Sequence, residues 1–109
     1  MKLGEIWIVE LPVKGGREQK GIRPCIIFSL TGTSMIVVIP LTSNLQALNF
    51  PNTLQINKSN KNNLEKNSVA LIFQIVSLDK QRFISKIGDL ETEFVNEIKI
   101  NLKNIFEIN

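Results

Sequence analysis

Between Glu5 and Leu11 the chain reads Glu-Ile-Trp-Ile-Val-Glu-Leu and then meets Pro12. A run of β-branched and aromatic residues halted by proline predicts a first strand ending in a turn. Pro24 to Leu30 and Ser34 to Leu41 are two further apolar runs, parted by Thr31-Gly32-Thr33, which is the pattern of an antiparallel hairpin. After Thr42 the pattern loosens. A short strand is expected at Thr53 to Ile56, the polar stretch Asn57 to Asn67 predicts a loop, and Val69 to Ser77 predicts one more strand, the last. Beyond it the period changes to that of a helix: Phe94, Val95, Ile98, Leu102, Ile105 and Phe106 share one face. Glu91 and Glu93 lie early in that segment and Lys99 and Lys103 late, the arrangement that complements a helix dipole. Several short strands followed by one C-terminal α-helix predict a mainly β (α+β) fold, a strongly curved antiparallel sheet close to a barrel with the helix packed on it.

Length and composition narrow this further. A chain of 109 residues has room for one domain and one core, so a single domain over residues 1–109 is expected. With 43% hydrophobic and 21% charged residues the composition is that of a folding globular chain, not of a disordered or fibrous one. Its apolar runs, such as Met35 to Leu41, are far shorter than the ~20 residues a membrane helix needs. No basic, apolar, small-residue export pattern opens the sequence. The single cysteine, Cys25, has no second thiol to pair with, and these features together suit a reducing cytoplasm with no membrane contact. A net charge of +3 permits a polyanionic partner without demanding one.

The chain contains no histidine, which removes Ser-His-Asp and Cys-His arrangements and the H-E-x-x-H zinc motif. Neither a P-loop nor a G-x-G-x-x-G is present, and the carboxylates are scattered, so no metal site and no cofactor are expected. What remains is a set of polar residues at the ends of apolar strands: Arg23 directly before the second, Thr42 and Ser43 directly after the third, and Gln74 inside the last. Each has a plain structural alternative. Arg23, taken alone, is better read as capping a strand or pairing with a surface carboxylate, and Thr42 reads equally well as an ordinary turn threonine. Gln74, between Phe73 and Ile75, either braces a loop or faces a ligand, since a buried amide needs partners. The segment Val13 to Gly21, with three glycines and dense charge, is longer than a usual hairpin turn, and such loops often carry substrate contacts.

Gly4-Glu5-Ile6-Trp7 with Val9, followed by Gly16-Arg17-Glu18-Gln19-Lys20-Gly21-Ile22-Arg23-Pro24, resembles the opening signature of the MazF/PemK toxin family. There a G-[DE]-[IV]-[WY] strand leads into a G-x-E-Q-x-G-x-R-P loop. Val38-Ile39-Pro40-Leu41-Thr42-Ser43 with Phe50-Pro51 resembles the family's second block. Asn67-Ser68-Val69-Ala70 through Gln74-Ile75 to Leu78-Asp79-Lys80-Gln81-Arg82 and Lys86-Ile87-Gly88 resembles its third. The blocks run in order over nearly the whole chain.

The resemblance implies a small SH3-like antiparallel β-barrel with a C-terminal α-helix, a homodimer, and the toxin of a type II toxin-antitoxin system. It implies metal-independent cleavage of single-stranded mRNA, with no cofactor, through attack of the 2′-hydroxyl to give a 2′,3′-cyclic phosphate and a 5′-hydroxyl end. Carried onto matching positions, it makes Arg23 and Thr42 catalytic and Glu18, Gln19, Lys20, Ser43 and Gln74 RNA-binding. It further implies an antitoxin whose disordered acidic tail folds onto the toxin. Phe73 and Val76 depart from the family, many of whose members have an acidic residue and an arginine there; Phe73 either stacks on a base or lies in the core, and the core is the expectation. Two other readings keep the fold: a toxin that poisons DNA gyrase, although such barrels lack the R-P loop signature, and a catalytically silent RNA- or antitoxin-binding barrel.

Overall fold

The computed structural model describes residues 1–12, 16 and 21–108. Its strands are β1 (Glu5–Leu11), β2 (Gly21–Leu30), β3 (Met35–Thr42), β4 (Thr53–Ile56), β5 (Ser68–Leu71), β6 (Val76–Asp79) and β7 (Phe83–Asp89), closed by the helix α1 (Thr92–Ile105). All pairings are antiparallel, along the path β4-β5-β3-β2-β1-β7, with β6 paired to the remaining part of β3. This is the expected antiparallel sheet with one C-terminal helix. The path ends at β4 and β7 and so stops short of a closed ring.

Two core clusters explain why β2 and β3 read as almost unbroken apolar runs. Successive side chains of a strand point to opposite faces. Ile26 and Phe28 of β2 and Ile39 and Leu41 of β3 enter one cluster, while Cys25, Ile27, Ile36 and Val38 enter the other. The register matches, with Ile26 opposite Ile39 and Ile27 opposite Val38. Helix α1 covers the first cluster through Val95 and Ile98, with Phe94, Leu102 and Ile105 packed at its margin. Burying a side chain of this kind contributes roughly 1.5–3 kcal/mol, so these central strands fix the scaffold. Register shifts within β1–β7 and β2–β3 add twist and help curve the sheet.

Two expectations need correction. The run Val69 to Ser77 is not one strand: β5 stops at Leu71, a 3-10 turn spans Ile72–Gln74, and β6 begins at Val76. The break lets the chain pair with two different stretches of β3, Leu41–Thr42 through β5 and Met35–Val38 through β6. It also turns Phe73 out of the core, leaving the ring 44% exposed. Nor is this the last strand, because β7 follows and pairs with β1. Among the described residues, no helix is long and apolar enough to cross a membrane.

Candidate functional site

The β2–β3 ladder stops at Cys25 opposite Pro40. Neither Pro24 nor Pro40 has an N–H to donate, so this end of the ladder lacks the bonds that would extend it. Two residues beyond the last pair on each strand lie Arg23 and Thr42, and both line a cleft of about 410 Å³. Thr42 is held from the other side by its pairing with Val69 of β5. Ser43 lines the same cleft, while Ile8, Leu41 and Ile87 supply its apolar surface.

The polar chemistry of this wall is simple. Arg23 is exposed, and no carboxylate among the described residues forms an ion pair with it. A guanidinium stays protonated and presents a planar fork of donors suited to a phosphate. The Thr42 hydroxyl oxygen accepts the Asn44 N–H at 3.2 Å. Asn44 in turn accepts the Gln46 N–H at 3.1 Å and caps the short 3-10 turn Leu45–Asn49. With a lone pair engaged from behind, the Thr42 O–H is available to donate toward the cleft. Cys25, two residues from Arg23, is no nucleophile: it is fully buried, and burial pushes its thiol up to about 12.

The opposite wall comes from the loop at residues 57–67, which places Asn63, Glu65 and Lys66 on the cleft. It is organised around Asn62, which is completely buried. The Asn62 Oδ1 accepts the N–H groups of Ser59 at 2.9 Å and Leu64 at 3.1 Å. Its Nδ2 donates to the Asn57 carbonyl at 2.9 Å and to the Glu91 carboxylate at 3.1 Å, tying the loop to the start of α1. The loop also docks on β7: Asn63 Nδ2 donates to the Ile87 carbonyl at 2.8 Å, and the Asp89 N–H to the Lys61 carbonyl at 3.0 Å. Gly88 permits this approach, since a Cβ there would lie 2.3 Å from the Asn62 carbonyl oxygen. Ser68 Oγ donates to the Lys66 carbonyl at 2.9 Å, fixing the backbone beside the lysine. No ion pair to Lys66 forms among the described residues.

A charge cluster joins β1 to β7. Lys86 Nζ lies 3.4 Å from Glu5 and 3.2 Å from Asp89, and Trp7 Nε1 donates to Glu5 at 2.9 Å. Burial pushes the Glu5 carboxyl up, but the Trp7 indole, the Lys2 backbone and Lys86 together outweigh it and hold the group below its ordinary value.

Of the residues singled out in the sequence, Arg23, Thr42 and Ser43 therefore meet in one cleft. Gln74 stands in an adjoining groove that shares Thr42 with it, on the 3-10 turn and not within a strand. Glu18, Gln19 and Lys20 lie outside the described residues. Asn63, Glu65 and Lys66 went unrecognised. Their signal was the density of asparagines from Asn57 to Asn67, side chains able to satisfy the backbone of a built, non-repetitive loop.

Residues 2–106 match the family described as PemK-like, MazF-like toxin of type II toxin-antitoxin system. The chain is 33% identical over 102 residues to the endoribonuclease MazF of Staphylococcus saprophyticus, covering 90% of this chain and 84% of that one. In structure it is similar to MazF from Deinococcus radiodurans, with a TM-score of 0.82 at 20% identity over 99% of this chain and 97% of the other. It is also similar to a mycobacterial endoribonuclease solved in complex with its cognate antitoxin, with a TM-score of 0.75 at 17% identity over 98% and 95% of the two chains. The signature residues that frame the cleft and the match over nearly the full length agree: the chain belongs to the PemK-like, MazF-like toxin family of type II toxin-antitoxin systems.

Proposed function

We propose that the protein is an endoribonuclease toxin that cuts single-stranded mRNA without a metal, with Arg23 and Thr42 acting on the scissile phosphate. The observation that carries this reading is that Arg23, unpaired with any described carboxylate, and Thr42 line one cleft. The similarity to the endoribonuclease of S. saprophyticus supports it. The nucleophile comes with the substrate. The ribose 2′-oxygen attacks the adjacent phosphorus and gives up its proton to solvent, the bond from phosphorus to the 5′-oxygen breaks, and that oxygen takes a proton as it leaves. Products are a 2′,3′-cyclic phosphate and a 5′-hydroxyl end. Arg23 clamps the non-bridging oxygens and donates toward the departing oxygen, while the Thr42 hydroxyl donates to the charge that grows on the phosphorane. Ser43 and Lys66 hold the flanking strand, and Glu18, Gln19 and Lys20, which precede β2 in the sequence, contact it.

The toxin works in the cytoplasm as a homodimer and is restrained by an antitoxin whose acidic, disordered tail competes for the Arg23–Lys66 cleft. The mycobacterial neighbour bound to its antitoxin supports that partner, and the exposed Ile100, Phe106 and Ile108 at the end of the chain offer apolar surface for a second copy. Purified protein incubated with end-labelled single-stranded RNA in EDTA provides the test. Cleavage leaving a cyclic phosphate, reduced about 10²–10³-fold in Arg23→Ala, is expected. RNA left intact by the parent protein, or equal cleavage by the variant, sinks the reading.

A further inference from the structure

The loop at 57–67 has a second open side. There a hollow of about 450 Å³ is lined by Lys58, Ser59, Asn60, Asn63, Leu64 and Glu65. Asn63, Leu64 and Glu65 also line the cleft, so the hollow continues the cleft across the loop. Over the two spaces together the described lining residues carry Arg23, Lys66 and Lys58 against one carboxylate, Glu65. No ion pair to any of the three cations forms among the described residues. Lys61 lines a separate hollow beside the start of α1 and stands apart from this path.

The path is ordered before anything binds to it. Asn67 Oδ1 accepts the Lys58 N–H at 2.9 Å, which joins the two stems of the loop and holds Lys58 against the residue next to Lys66. Ser59 Oγ accepts the N–H groups of Lys61 at 3.2 Å and Asn62 at 3.1 Å. Asn63 keeps a left-handed backbone with φ of 55°, a conformation asparagine tolerates. All these bonds use backbone groups, a hydroxyl and amides, so Lys58 and Lys66 remain exposed. Two ammonium groups on adjoining stems, neither paired with a carboxylate among the described residues, repel each other, and a polyanion relieves that repulsion. A peptide partner would need apolar anchors. The one apolar residue among those lining the hollow, Leu64, is buried. A phosphodiester strand needs cations and hydrogen-bonding groups, which the lining supplies.

We infer that the outer hollow is a track for the flanking substrate: RNA leaving the cleft past Lys66 crosses the loop, and Lys58 neutralises a phosphate outside the segment held for cleavage. This rests on the ribonuclease reading of the cleft. The contact is to the strand's backbone, so it adds affinity without reading sequence. Only a strand that extends beyond the cleft reaches Lys58, and the toxin therefore favours long messages over short fragments that carry the same cut site.

The test uses the full-length protein and two end-labelled single-stranded RNAs that share one cut site, one trimmed close to it and one extended on both sides. The parent is expected to show a KM about 3- to 10-fold lower for the extended RNA at low salt, with kcat alike, and Lys58→Ala to lose that advantage. The slope of log affinity against log salt for the extended RNA should fall by about 0.7 in Lys58→Ala, while Lys58→Arg keeps both properties. Asn67 holds the Lys58 backbone and not its ammonium group, so the loop survives either substitution. Equal KM for the two RNAs in the parent, an advantage that persists in Lys58→Ala, or a loss of the same size on the trimmed RNA overturns the inference. So does a Lys58→Ala protein that binds extended RNA as the parent does but no longer binds a polyglutamate peptide, since the face then belongs to an acidic protein partner. Length-dependent binding without cutting, read by fluorescence anisotropy, leaves the track standing and removes the ribonuclease reading; neither binding nor cutting removes both.

Discussion

The two walls of the cleft are built on opposite principles. Arg23 and Thr42 sit just past the end of the β2–β3 ladder, on strands that also supply Cys25–Phe28, Ile36 and Val38–Leu41 to the buried interior, so their side chains are carried by a ladder that does not depend on them. The loop at 57–67 has no ladder. Its shape rests on one buried amide, Asn62, and on two contacts with β7. In the first wall the residues facing substrate and the residues giving stability are separate in kind. In the second they are neighbours in sequence, and a single interior side chain positions three on the surface.

Four measurements sharpen or break that contrast. The largest effect is expected from Arg23→Ala, about 10²–10³-fold on the cleavage rate, with the urea midpoint unmoved because the side chain is exposed and unpaired among the described residues. A large loss of stability in that variant erases the distinction between the walls. Asn62→Ala should do the reverse, destabilising the fold by about 2–4 kcal/mol in urea unfolding, since it strands the Leu64 and Ser59 N–H groups and the Asn57 carbonyl. If its midpoint stays at the parent value, the loop is not organised around that amide.

Lys66→Ala is expected to weaken RNA binding about 3- to 10-fold at low salt and to lower the slope of log affinity against log salt by about 0.7. An unchanged slope means that the lysine touches no phosphate. The smallest effect concerns the charge cluster between β1 and β7. The Glu5 carboxyl is held below its ordinary value of 4.5 in the folded chain. Its contribution is therefore present above that value, where the unfolded chain is also ionised, and is lost as pH falls through the depressed folded one. Thermal midpoints followed from neutral pH into acid should show Glu5→Gln with a shallower decline than the parent; parallel curves rule out Glu5 as a source of the acid sensitivity.

What the sequence disclosed follows the same division. The strands β1, β2 and β3 and the helix α1 were legible because burial imposes a strict period on them, and the Thr31–Thr33 turn separates β2 from β3 as its residues suggest. Arg23 and Thr42 stood out as polar groups at the ends of such runs. The break at Ile72–Gln74 left no mark, since Leu71, Ile72 and Ile75 continue the apolar pattern across it. For that reason Phe73 read as core. An edge strand with Ile84, Ser85 and Lys86 all exposed lacks the alternation that marks a half-buried one, which hid β7. The loop wall escaped because its order is carried by side-chain amides, which obey no period.

Cys25 has a consequence for the way the molecule meets its surroundings. A thiol sealed inside β2 is shielded from passing oxidants and electrophiles, so swings in cellular redox state leave this sulfur unmarked while the chain is folded. The same seclusion makes it a built-in clock: each alkylation event at this sulfur records a moment when the sheet has parted next to the arginine.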